Sequence, residues 1–227
     1  MTWLAKFFTS SIGQKLVVGA SGLWLILFLT IHVLGNSQLF LSDNGAAFNH
    51  YAHLMENNPF IIYIVRWVTM AAFLLHAFRG VALAFANRAA RGEVGYAVNY
   101  SKNRTFASGN MAWIGSWIFI FWAFHLYAFW WHLMIGASPM TTLEGVSVPD
   151  VYTMVKTAFQ QPINVVFYVA SMFVLYMHLA HGFQSAFQTF GLTHKKYTPF
   201  LNVVGLAYSI IVPLLFALMP LYFLFFS

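Results

Sequence analysis

The sequence predicts an all-α membrane protein, a bundle of five transmembrane helices, and three observations predict it. Of 227 residues, 60% are hydrophobic and only 7% charged, where an ordinary soluble domain carries about 25% charged residues. Five apolar runs are long enough to cross about 30 Å of hydrocarbon. None of them alternates with a period of two, as the strands of a membrane barrel would. With a mean hydropathy of +0.71, these features exclude a disordered chain, a coiled coil and a nucleic-acid-binding domain.

The first helix is expected over about 16–41. No small-residue cleavage site follows it, so it is read as an anchor and not a removed signal peptide. The second covers about 60–86, with Pro59 suited to a first helical position and with Arg66 and Arg79 inside it. The third covers about 111–136. The fourth covers about 163–190, follows Pro162 and has Gly191 as its C-terminal cap. The fifth covers about 200–226 and is interrupted by Pro213 and Pro220. The connections are short, so residues 1–227 read as one transmembrane domain without internal repeats.

The net charge of +6 gives this bundle a direction. Lys6, Lys15, Arg88, Arg91, Lys102, Arg104, Lys195 and Lys196 fall on one side of the five-span arrangement. The other side carries Lys156 with Asp43, Glu56, Glu144 and Asp150. Cytoplasmic loops collect Lys and Arg, so the N-terminus is expected in the cytoplasm and the C-terminus outside. Anionic lipid headgroups are natural partners for the basic face.

There is no cysteine, which excludes disulfides, thiolate zinc sites and cysteine-ligated iron–sulfur clusters within this chain. Redox or metal chemistry must therefore use the nine histidines. Ionisable residues inside spans are costly and usually functional. His32, His76, His125 and His178 stand one on each of the first four helices.

A rise of about 1.5 Å per residue sets their depths. His76 lies about 24 Å from Phe60, and His178 about 22 Å from Ile163, so both belong to the inner half. His125 lies about 16 Å from Gly136, and His32 about 14 Å from Leu41, which matches them in the outer half. Should the first helix stop at Asn36, His132 would match His32 better. Two imidazoles facing each other at one depth suit a six-coordinate b-type haem, and two such pairs suit two haems. Zinc competes but prefers clustered ligands and a polar surround. A transporter with packing histidines is the other alternative.

Gly80 and Gly182 lie four residues beyond His76 and His178, on the ligand faces, where a flat macrocycle needs close approach. Small residues also serve ordinary helix packing. Arg79 could meet a haem propionate, and Arg66 is deep enough to need an anionic partner; snorkelling would explain both as well.

The segments LFLTIHVLGNSQLF, FLLHAFRG, FWAFHLYAFW and MHLAHGFQSAFQTFGLTHKKYTP together resemble the cytochrome b membrane anchor of succinate dehydrogenase/fumarate reductase. The resemblance is to the single-polypeptide, five-helix, dihaem type of this complex II anchor, and it covers almost the whole chain. It implies a bacterial cytoplasmic-membrane subunit bound to an iron–sulfur subunit and, through it, to a flavoprotein carrying FAD. Dicarboxylate chemistry belongs to the flavoprotein, and the complex is open to higher oligomerisation. The resemblance further implies that His76 and His178 hold the proximal haem b and His32 and His125 the distal one. The substrate of the anchor is a quinone, commonly menaquinone.

His181 is one turn from His178; the family's ligand precedes a glycine by four residues, which selects His178. His181 and His132 are then read as propionate or neighbouring contacts, as is Ser21. For the quinone, Glu56 is the outer candidate for proton handling, among Asn36, Gln38, His50 and His53. An inner site near Ser21, Arg79 or Lys102 is the alternative. Cytochrome b anchors of hydrogenase or formate dehydrogenase type form a competing class, which the KKYTP stretch and co-purifying FAD would distinguish.

Overall fold

A computed structural model describes residues 2–92 and 106–226. Lys102 and Arg104, counted above toward the basic face, lie outside these residues. Five helices are long and apolar enough to cross a membrane: Ser11–Phe40, Ile61–Ala90, Met111–Met134, Pro162–Thr189 and Thr198–Phe226. The chain is thus an all-α, multi-pass membrane bundle, and these helices are called spans 1 to 5.

Span 1 opens on Ser10, whose Oγ accepts the Gly13 N–H. It is α-helical to Asn36 and then tightens into a 3₁₀ turn, Ser37–Phe40. Span 4 has Pro162 in its first turn and ends in a Schellman motif around Gly191, whose φ is +70°. There the Leu192 N–H reaches the Phe187 carbonyl and the Gly191 N–H that of Gln188. Span 5 runs unbroken through Pro213 and Pro220. Neighbouring spans within a bundle can compensate the lost backbone bonds, so neither proline ends the helix.

The core follows the helical period. Span 4 buries Val165, Tyr168, Met172, Leu175, Leu179, Phe183 and Ala186, steps of three and four that form one stripe. Span 5 answers with Gly205, Ser209, Val212, Met219 and Phe223. A Cβ at Gly205 would come within 2.5 Å of Phe183, so the glycine is what lets these two spans close on each other. Span 1 packs against spans 2 and 4, and span 3 against span 4. Span 2 lies at the edge and, among its described residues, buries only Ala72.

The connections hold more structure than their lengths suggest. Between spans 1 and 2 lies a helix, Ala46–Asn57. Between spans 3 and 4 an antiparallel hairpin, β1 (Met140–Leu143) and β2 (Val146–Pro149), leads into the helix Val151–Phe159. Buried Asn49 joins the two connections. Its Nδ2 donates to Asp150 Oδ1 at 2.8 Å, and its Oδ1 accepts the Tyr152 N–H at 2.9 Å. These pieces form a cap over one end of the bundle.

Candidate functional site: paired histidines within the bundle

The local chemistry of spans 1 and 2 sets His76. Small residues at Ser21 and Gly22 let the two helices approach, and a Cβ at Gly22 would stand 3.1 Å from His76 Cε1. In that notch His76 Nδ1 lies 3.1 Å from the Val18 carbonyl and 3.3 Å from Ser21 Oγ. A carbonyl can only accept, so Nδ1 carries the proton and Nε2 presents its lone pair. The His76 ring meets His178 across the bundle, with centroids 5.8 Å apart and planes at 71°.

The second pair stands toward the capped end. His32 on span 1 and His125 on span 3 have centroids 6.0 Å apart, with planes at 89°. Phe28 and Phe216 flank His32; Phe121 and Phe129 flank His125. His125 Nδ1 lies 3.2 Å from the Tyr168 hydroxyl on span 4. His32 Nδ1 lies 3.3 Å from Asn36 Nδ2, which donates to the His32 carbonyl at 2.7 Å.

Whether these residues suit a haem can be tested on packing. A metal–imidazole bond is about 2 Å, so two rings sharing one metal ion have centroids roughly 6–6.5 Å apart. Both pairs stand near that separation. Among the described residues, His178 Nδ1 and Trp130 Nε1 are buried without a hydrogen-bond partner. With no protein group holding Nδ1, nothing among the described residues fixes the His178 tautomer, and either ring nitrogen is free to serve as a ligand. A Cβ at Gly80 or at Gly182 would meet nothing within 4 Å, leaving open space beside both inner histidines. No three His, Asp or Glu side chains come together as a metal cage among the described residues; the spans' histidines meet in twos. The arrangement fits a flat group taking one nitrogen from each of two imidazoles.

The other candidates fall in several places. Ser21 is buried beside His76 and also donates to the Val17 carbonyl at 2.7 Å. Arg79 and His181 are half-buried, one turn beyond His76 and His178. His132 is not brought to His32: its Nδ1 donates to the Tyr127 carbonyl at 2.8 Å, within a π-helical stretch Leu126–Trp131. Span 1 continues past Asn36 as a 3₁₀ turn, and His125 is the ring that His32 meets.

Glu56, Ile62, Arg66, Trp130, Leu133 and Met134 line a cavity of about 210 Å³ below the cap. Burial pushes the Glu56 carboxyl above its ordinary range, against the opposing pull of Arg66 and His53. Two π-helical stretches, Ile61–Val65 and Leu126–Trp131, border this cavity. Such turns recur at functional sites. Reading the sequence missed Tyr168 and both π stretches, and named Trp130 only as one of several tryptophans crowding the third helix. A tyrosine or tryptophan among so many aromatics carries no pattern that marks it.

No family model and no solved structure matches the chain. Among curated proteins, it is 26% identical over 167 residues to a succinate dehydrogenase cytochrome b558 subunit of Bacillus subtilis (strain 168), covering 74% of this chain and 73% of that protein. The quoted histidine segments and this similarity point the same way, toward a likeness to the cytochrome b membrane anchors of succinate dehydrogenase.

Proposed function

We propose that this chain is the dihaem cytochrome b anchor of a succinate:quinone oxidoreductase in a bacterial cytoplasmic membrane. His76 and His178 hold the proximal haem b, and His32 and His125 the distal one. The observation that carries this reading is the meeting of four imidazoles as two separate pairs at two depths of an apolar bundle. A haem b held by two imidazoles supplies a reversible one-electron couple inside the hydrocarbon layer.

The residues divide the remaining work. The Val18 carbonyl fixes the His76 tautomer, leaving Nε2 for iron. Arg79 and His181 stand where propionates can be neutralised. The basic face, which includes Lys195 and Lys196, turns to the cytoplasm and docks an iron–sulfur subunit that carries the flavoprotein with FAD. Quinone, with menaquinone the expected type, takes the cavity beside Glu56 and Arg66. Glu56 exchanges protons with it there, while Arg66 keeps the site from becoming anionic.

Dithionite-reduced minus oxidised spectra of the purified protein, with pyridine haemochrome quantitation, test the core of this reading. Two haems b per chain are expected, and none would overturn it. His76→Leu or His178→Leu should remove one haem, and His32→Leu or His125→Leu the other. Co-purification of covalent FAD separates this assignment from a hydrogenase or formate dehydrogenase anchor.

A further inference from the structure

The two histidine pairs are held unequally from outside. In the inner pair His76 Nδ1 reaches a backbone carbonyl, that of Val18, at 3.1 Å. In the outer pair His125 Nδ1 reaches a side chain, the Tyr168 hydroxyl, at 3.2 Å. Among the described residues His178 Nδ1 has no hydrogen-bond partner, and His32 Nδ1 has the Asn36 amide nitrogen at 3.3 Å. Each pair therefore has one ring tied to another span, by acceptors of different strength.

Tyr168 is placed firmly. It is 6% exposed, and its ring is gripped edge-on by Phe159 at 4.9 Å and Phe121 at 5.0 Å. Among the described residues His125 is its one hydrogen-bonding partner. With Nε2 on a metal, the His125 Nδ1 must carry a proton, and the phenol oxygen is the acceptor within reach. An imidazole that donates its second N–H is a more basic ligand and favours the more oxidised metal.

We infer that Tyr168 is a positioning residue for His125, orienting its ring and strengthening it as a ligand so that the distal haem is harder to reduce than it would otherwise be. This rests on the dihaem reading above. It goes further by assigning the setting of one haem's potential to a side chain on span 4 that is no ligand.

The experiment is a redox titration, followed at the α band, of the purified complex carrying the wild-type anchor, Tyr168→Phe or Phe159→Leu. The couple that disappears in His125→Leu identifies the distal haem. In Tyr168→Phe both haems should persist, with the distal couple moved to more positive potential and the proximal one unmoved. Phe159→Leu loosens the packing around the same ring and should leave both couples in place. An unmoved distal couple in Tyr168→Phe overturns the inference, as does an equal shift in Phe159→Leu. Loss of the distal haem in Tyr168→Phe also overturns it, since the phenol would then be holding the site together and not tuning it. A wild-type complex without two haems would refute the dihaem reading itself, a different failure.

Discussion

Glu56 lies in the last turn of the cap helix Ala46–Asn57, outside the spans, and its carboxyl is held above the ordinary range by burial. The sign follows from proton linkage. The folded chain binds this proton more tightly than the unfolded chain, so the group weakens folding as pH rises from the ordinary carboxylate range through its raised value, with no further change above it. For turnover, a protonated Glu56 persists to higher pH than an exposed carboxyl would. Succinate–quinone activity should accordingly fall on an alkaline limb assignable to this residue. Glu56→Gln should lower quinone-linked turnover roughly 100-fold or more while both haem bands stay. Unchanged turnover would remove Glu56 from proton handling. Asp150 runs the other way. Burial raises it, but hydrogen bonds from Thr153 and Asn49 outweigh that and bring the carboxyl below its usual value. Its contribution to the cap is present above the ordinary carboxylate pKa and is lost as pH falls toward the folded one.

At the scale of elements, the five spans were legible because length and apolarity alone define them, and their ends differ from the expected ones by a few residues. The cap was not legible. Its helices and hairpin are fastened by contacts far apart in the chain, such as Asn49 with Asp150 and Tyr152, or Tyr51 packed over Gly35. No local pattern announces such a contact. Asn49→Ala removes two hydrogen bonds from a buried position and should cost roughly 1–3 kcal/mol of local stability. The checks are faster proteolysis of the hairpin and a lower melting temperature of the purified protein. The notch in span 1 makes a sharper test. Gly22→Val would drive carbon atoms into the His76 ring, so the chain should lose the inner haem and keep the outer one. Quantified haem per chain reads this directly. Rise per residue sufficed to level the histidines, since depth depends on the helix alone. The partners of their Nδ1 atoms depend on which faces of neighbouring spans meet, and that was hidden.

The whole molecule has a charge asymmetry that predicts orientation. With no cysteine in the chain, a single introduced thiol reports its side without background labelling. Lys195→Cys should react with an impermeant maleimide only in inverted vesicles, and Thr142→Cys, on β1, only in intact cells or spheroplasts. The reverse pattern would turn the bundle over and put the partner subunits on the other face.

The histidine pairs skip a helix each time, span 1 with span 3 and span 2 with span 4. That interleaving has a consequence for biogenesis. A chain entering the membrane N-terminus first owns both rings of the outer pair once three spans are in. His76 must wait for His178 on the fourth. The two sites are therefore completed in sequence, the outer before the inner. Either half of the chain alone, spans 1 and 2 or spans 3 and 4, holds one member of each pair and no complete pair.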